Sequence, residues 1–249
     1  MNNIIEKILD HRSVRSFEDK LLSAKQISTI VECAQAASTS SYIQAYSIIG
    51  VTDPEKKANL AELAGPQSYV ENNGHLFVFC ADLHRMDIVA EMENEDLTAP
   101  IESTEKFMVA CIDAALAAQN AALAAESMDL GICYIGGIRN DLQQVSEILD
   151  IPHRVVPLFG LVVGYPKKRS DKKPRLPQAN VYHENGYQTD KQTFIGQLEA
   201  YNETISDYYE QRTKGKRKET WTQQMADMAG KKSRMYMKNF VEKQGLKKQ

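Results

Sequence analysis

The stretch Ala114 to Ser127, AALAAQNAALAAES, constrains this chain more than any other. Alanine is the best helix former, and a helix lined with methyl groups is narrow enough for its neighbours to approach closely. The spacing predicts one long helix over 102–128, placed at the centre of a domain or at a subunit interface. A chain of 249 residues with 43% hydrophobic content can bury a substantial core around it, as one large domain or one domain with an appendage. A membrane span needs about 18 or more uncharged apolar residues, and Asp113 interrupts the best candidate.

Other elements follow from periodicity and punctuation. Ile4, Ile5, Ile8 and Leu9 fall at helical spacing, and Ser23 opens a second helix that ends at the polar break STSS, Ser38 to Ser41. Tyr46 to Val51 reads as a strand. Asp53 followed by Pro54 starts a helix that runs to about Leu63. His75 to Ala81, HLFVFCA, has no helical spacing and reads as a buried strand. Gly131 is expected to cap the long helix, with ICYIGG following as strand and turn. A helix over Asp141 to Leu149 precedes VVPLFGLVVGYP, the last clear strand, where Pro157 argues for an edge strand or a strand's first residue. Beyond Pro166 the chain loses periodicity, and polar helices are expected around Ile195 to Gln211, Trp221 to Ala229 and Arg234 to Val241. Helices alternate with strands around a central apolar helix, which favours α+β over a doubly wound sheet. Residues 1–165 are assigned to the core and 166–249 to a C-terminal extension of the same structural domain.

Charge is uneven. Net charge is −3, yet from Arg212 onward twelve Lys or Arg face three acids, a local +9 that leaves −12 for residues 1–211. Such a tail is a solvated helical face or it meets an anion: nucleic acid, an anionic membrane or a phosphorylated small molecule. Cys33, Cys80, Cys111 and Cys133 lack CxxC spacing and read as reduced thiols of a cytoplasmic protein, and the opening MNNIIEKILDHR lacks the apolar core of a signal peptide. HExxH, GxSxG, Walker A and Rossmann glycine motifs are absent from the sequence, and the five histidines are scattered. Metal-assisted hydrolysis and protein-derived nucleophilic catalysis therefore have little support, and no metal site is expected.

What recurs is equipment for holding an anion: HRSVR at 11–15, STSS at 38–41 and KKPR at 172–175. The planar fork of arginine suits phosphate oxygens and serine hydroxyls add donors. The cations of the first segment also complement the end of a helix, or pair with acids elsewhere. Tyr134-Ile135-Gly136-Gly137 ends a strand in two residues without side chains, either a tight turn or a backbone that lies close to something flat. A phosphate site at one end and a close-approach backbone at the other describe a site for flavin mononucleotide (FMN).

Taken in order, His11-Arg12-Ser13-x-Arg15-x-Phe17, Ser38 to Ser41 with Gln44, Gly65-x-Gln67, Tyr134 to Gly137, Pro157 to Gly160 and Lys173 to Pro177 resemble the FMN-dependent nitroreductases, and more closely their NADPH-preferring, oxygen-insensitive group of nitroreductases and flavin reductases. The resemblance implies an α+β sandwich with a central, mostly antiparallel sheet flanked by helices, forming an intertwined homodimer. It implies that His11, Arg12, Ser13, Arg15, Gln67, Lys173 and Arg175 hold the flavin, with Ser38, Thr39, Ser41 and Gln44. The backbone from Tyr134 through Ile135, Gly136 and Gly137 would face the ring. On this reading the early cations meet no carboxylate because their partner is the cofactor.

Arg212, Lys216 and Arg217 fall in a stretch that resembles a loop recognising the 2′-phosphate of NADPH, and Ser41, Tyr42, Lys232 and Arg234 are assigned to substrate or nicotinamide. The implied reaction is ping-pong hydride transfer from NADPH, as co-substrate, to nitroaromatics, quinones or similar small acceptors, with no catalytic side chain because the flavin carries the chemistry. A flavin reductase that supplies reduced FMN uses the same residues. A nucleic-acid-binding protein would need aromatics interleaved with the basic tail, for which Trp221 and Tyr236 are thin support, so neither a nucleic-acid nor a membrane partner is expected.

Overall fold

The computed structural model describes residues 2–249 in two compact units: one of residues 2–170 and 234–249, the other of residues 171–233. In chain order the elements are α1 (Asn3–Leu9), α2 (Ala24–Gln35), β1 (Tyr46–Val51), α3 (Pro54–Leu63), α4 (Ser68–Glu71), β2 (His75–Asp82), α5 (His84–Glu93), α6 (Thr98–Ile101), α7 (Thr104–Ser127), β3 (Gly131–Ile135), α8 (Leu142–Ile148), β4 (Val155–Gly164), α9 (Lys191–Thr213), α10 (Trp221–Ala229) and α11 (Met237–Lys243).

The first unit is built on one sheet of order β1-β2-β4-β3, antiparallel at every pairing. Strand β2 is buried along its whole length because both of its faces are covered, which is why it reads as an unbroken apolar run. Phe77 and Phe79 turn to one face, against α2 and the alanines Ala117, Ala118, Ala121, Ala122 and Ala125 of α7. Leu76, Val78 and Cys80 turn to the other, against Leu60 and Ala61 of α3 and Val145 of α8. The alternation is the two-residue period of a strand, and the sandwich follows from it. The methyl-lined face of α7 lets it lie against the sheet, while Met108, Ile112 and Leu116 on its other side remain about half exposed. Among the described helices, α7 alone is long and apolar enough to cross a membrane, and half of its most apolar window is buried in this core.

Local signals fix the helix starts. Ser23 and Gln26 close a capping box on α2, Asp53 accepts from the backbone N–H of Glu55 and Lys56 ahead of α3, and Ser103 caps α7. Two expectations are corrected. Gly131 does not cap the long helix: α7 ends at Ser127 with Met128 as its C-cap, Asp129 takes the left-handed conformation (φ 60°), and Gly131 opens β3. Glycine is needed there because a Cβ would stand 2.8 Å from the Cβ of buried Val14. Pro157 is neither in an edge strand nor first in its strand, since β4 lies between β2 and β3. The proline is tolerated because it sits beside a bulge at Phe79/Cys80 and before Gly160, where pairing with β3 begins. Helix α5 was not expected; its sequence, HRMDIVAEME, buries no residue and has no apolar face to announce it.

The second unit is organised by α9, whose buried Tyr201, Ile205 and Tyr209 gather Leu176, Tyr208 and Trp221. Asp190 caps α9, and a Thr220–Gln223 capping box starts α10. Residues 171–177 carry no regular structure, and a single 3₁₀ turn spans Gln178–Asn180.

Candidate functional site

The N-terminal cations follow the helix Asn3–Leu9 and enter the sheet's margin through a parallel bridge between Ser13 and Ile132, reinforced by Val14 N–H donating to the Ile132 carbonyl at 2.8 Å. The expectation that they meet no carboxylate is corrected for two of the three. His11 Nδ1 lies 2.7 Å from Glu126 Oε1, and Arg12 donates to the Asp10 carboxylate. Both carboxylates went unnoticed because Glu126 is distant in sequence and Asp10 precedes the segment. The Asp10 pair is partly exposed and of a kind worth about 0–1 kcal/mol, so an incoming phosphate competes with it readily. Arg15 is exposed and forms no ion pair among the described residues. Its guanidinium instead lies beside the Tyr69 hydroxyl and the Cys133 thiol, opposing the burial that pushes both groups up.

From Arg15 a continuous chain of contacts runs through the first unit. Tyr69 donates its hydroxyl to Gln67 Oε1, and Gln67 Nε2 donates to the Ala64 carbonyl at 2.6 Å. That same carbonyl faces Gly137, where a Cβ would come within 2.4 Å of it. The structure thus joins three segments assigned to one site: the early cations, Gln67 and the Gly-Gly turn. It also separates the two glycines. Gly137 answers to packing against Ala64, whereas at Gly136 the nearest atom to an added Cβ is the tip of Arg139 at 3.4 Å, so only Gly136 leaves its backbone approachable. Just before them, Tyr134 is fixed by its hydroxyl on the Ala118 carbonyl (2.9 Å) and by its edge-on contact with Phe159. Arg234 is brought to the far end of this turn, donating to Asn140 Oδ1 at 2.8 and 3.1 Å. Burial, and then the charge of Arg234, lower the pKa of the neighbouring Arg139 guanidinium.

The serine run is the strained part. Ser41, Tyr42 and Gln44 have φ of 49°, 59° and 53°, and non-glycine residues held this way cost of order 1–3 kcal/mol each. Two residues that sequence reasoning gave no role pin this segment. Asp113, fully buried in α7, accepts the backbone N–H of Ser40 (2.9 Å) and of Ala45 (3.0 Å). Arg85 of α5 donates to the carbonyls of Gln44 (2.8 Å) and Tyr46 (2.6 Å) and is itself held by Asp82. A lone charge in an alanine helix was the available signal for Asp113; Arg85 had none. The pinned segment leaves Ser38 and Ser41 exposed, Thr39 half-buried and Tyr42 standing 82% exposed.

In the second unit, Lys173 Nζ lies 5.3 Å from the centre of the Tyr209 ring, and Arg175 lies near Tyr201, whose hydroxyl donates to the Pro174 carbonyl at 3.0 Å. The basic loop follows α9. Arg212 donates to the Tyr208 hydroxyl at 2.7 Å, Arg217 stands 4.4 Å from the centre of the Tyr209 ring, and Lys216 and Lys232 are exposed. Among the described residues no three His, Cys, Asp or Glu side chains gather as metal ligands. The donors offered are guanidinium, ammonium, hydroxyl and backbone groups, and this set fits a phosphate-bearing, flat cofactor.

Comparison with known proteins agrees with that chemistry. Residues 8–165 match the model of the nitroreductase family, and residues 173–249 match the model of its C-terminal domain. The chain is 58% identical over 248 residues, covering all of both proteins, to the FMN reductase (NADPH) of Bacillus subtilis strain 168. It is 47% identical over 246 residues, 98% of this chain and 96% of the other, to an NADPH-dependent oxidoreductase of Staphylococcus aureus. The solved structure of NfrA1 from B. megaterium superposes with a TM-score of 0.98 at 65% identity, covering 99% of this chain and all of that one.

Proposed function

The chain belongs to the nitroreductase family, and on that premise we propose that it is an NADPH-dependent flavin oxidoreductase that holds FMN and reduces small electron-poor acceptors such as nitroaromatics and quinones. The observation that supports the reading is the contact chain from Arg15 through Tyr69 and Gln67 to the Gly136-Gly137 turn, which links three sequence-distant segments. FMN, when bound, would supply the two-electron chemistry for hydride transfer between NADPH and a second substrate in ping-pong order. The protein's own residues bind and orient. Arg12, Ser13 and Arg15 offer cations and hydroxyl to the flavin, His11 backs them through Glu126, and Lys173 and Arg175 are assigned to its phosphate. Gly136 leaves backbone open to the ring. The pinned segment with Ser38, Thr39, Ser41, Tyr42 and Gln44 presents hydroxyls, an amide and an exposed phenol ring, with Arg234, Lys232 and the basic loop (Arg212, Lys216, Arg217) assigned to NADPH and substrate.

The uncovered stripe Met108, Ile112 and Leu116 on α7 supports a homodimer, a second copy of α7 being the surface of matching chemistry. The four free cysteines suit a cytoplasmic setting. The name of the B. subtilis relative favours a second reading, in which free FMN is the acceptor and reduced flavin the product.

An absorption spectrum of the purified protein, followed by parallel titration with NADPH and NADH, tests the proposal. A yellow protein bleached at lower NADPH than NADH is expected. Arg15→Ala should release the flavin, whereas Arg212→Ala should raise the NADPH requirement while the protein stays yellow. A protein that remains colourless with excess FMN sinks the reading. Turnover with free FMN against menadione then separates the two acceptor classes.

A further inference from the structure

We propose that Tyr209 is a positioning residue that sets the preference for NADPH over NADH, its ring holding Arg217 of the basic loop in place while leaving that guanidinium's charge available to a phosphate. The inference rests on the assignment of the basic loop to the 2′-phosphate, and it names the device that aims the loop.

Residue 209 holds residue 217 at both ends. On the backbone side, Thr213 donates its hydroxyl to the Tyr209 carbonyl (2.6 Å) and accepts the Arg217 N–H (2.9 Å), so the loop is tied one helical turn above Tyr209. On the side-chain side, the Arg217 guanidinium carbon stands 4.4 Å from the centre of the Tyr209 ring. The chain can double back this way because Lys214 and Gly215 both adopt left-handed conformations (φ 53° and 80°), and Gly215 N–H closes on the Glu210 carbonyl at 2.8 Å. The ring is fixed as well: Tyr209 is 7% exposed, packs in the α9 core and donates its hydroxyl to Gln224 of α10 at 3.2 Å.

The chemistry of the holder matters. A carboxylate pressed on a guanidinium neutralises it and occupies its N–H groups, whereas an aromatic face attracts the cation and leaves its donors free. Arg217 does have one acidic neighbour, Glu219 at 3.1 Å, but both side chains are about half exposed, and a phosphate dianion displaces such a pair. The same ring also faces Lys173, 5.3 Å away, the cation assigned to the flavin's phosphate. At that distance, against 4.4 Å for Arg217, the ring's hold on Lys173 is the weaker of the two, and the flavin keeps its other assigned cations.

The test uses the flavin-loaded enzyme with residue 209 as Tyr, Phe, Leu or pentafluorophenylalanine introduced by nonsense suppression; the fluorinated ring keeps the shape but loses the negative face. The expectation is that Tyr209→Phe stays near wild type. The fluorinated variant should raise the KM for NADPH about three- to tenfold, with kcat and the KM for NADH unchanged and the protein still yellow. Tyr209→Leu should do the same, and combined with Arg217→Ala it should add nothing further. If the fluorinated and Phe variants share one NADPH KM while Arg217→Ala raises it, the role of the ring is overturned and the loop assignment stands. If Arg217→Ala itself leaves the NADPH to NADH preference unmoved, the loop assignment falls and takes the proposal with it. Should Tyr209→Leu fail to fold, the fluorinated and Phe variants decide the matter alone.

Discussion

The first unit buries its central strand on both faces and locks a strained loop with a carboxylate inside a helix, whereas the second buries little more than Tyr201, Ile205 and Tyr209 along one side of α9. The two hold their functional groups by different physics. In the first, hydrogen bonds to a fully buried carboxylate and close backbone contacts set positions, and stability depends on them. In the second, cations rest on aromatic rings near the surface, so aim depends on forces that salt and ring electronics change while the fold persists. Perturbing the first unit should therefore appear as lost stability, and perturbing the second as altered recognition.

The sharpest way to break that contrast is Asp113→Ala. It removes two charge-assisted hydrogen bonds and leaves a buried donor on Ala45 and a part-buried one on Ser40, a loss only partly offset by the relaxation of three left-handed residues; the cost should be about 4 kcal/mol, read as a fall of roughly 10 °C in the midpoint of thermal unfolding. An unchanged midpoint would show that the loop does not depend on its buried anchor.

Acid is the next largest effect. His75 is 5% exposed with Nε2 unpartnered, and burial, with a smaller contribution from the charge of Lys57, lowers its pKa from 6.5 to about 4. The unfolded chain takes up a proton below about pH 6.5 that the folded chain refuses, so stability is intact above 6.5 and is lost progressively towards pH 4, by about 3 kcal/mol at most. Denaturant titrations at pH 7 and pH 4.5 measure this, and His75→Gln should flatten the difference.

A smaller loss, about 2 kcal/mol, is expected for Gly137→Ala, because its Cβ would collide with the Ala64 backbone; Gly136→Ala should cost less than half as much. The smallest effect belongs to the second unit. On the proposed assignment of the basic loop, raising the salt from about 0.05 M to about 0.5 M should increase the KM for NADPH a few-fold more than that for NADH, since the two nucleotides differ by the charge of the 2′-phosphate. Equal responses of the two nucleotides would erase the contrast between the units.

Parts of the fold were legible because their causes are local. Ser23, and Asp53 with Pro54, announce helix starts, since caps are satisfied within three residues, and the run HLFVFCA announces a strand covered on both faces. Other parts were not. Helix α5 has no apolar stripe, so periodicity is silent although its Arg85 pins the serine segment. The Gly136-Gly137 pair read as a single device, yet only the approach of Ala64, brought in from α3, tells the two apart. His11 and Arg12 read as partnerless because Glu126 lies on α7, far along the chain, and because a flanking Asp10 gives no sign of which way it turns.

By itself the sequence determined most of the elements, the α+β class and a set of cations with hydroxyls suited to a phosphate-bearing ring system, because helix caps, strand period and side-chain chemistry are properties of neighbours along the chain. Only the tertiary structure decided which of those groups are tethered and to what: Asp113 to a loop more than sixty residues away, Gly137 to the backbone of Ala64, and Arg217 to the face of Tyr209. Such pairings depend on how layers stack and where a chain reverses. No local pattern encodes that, since the contact forms only once the sheet and α9 have placed both partners.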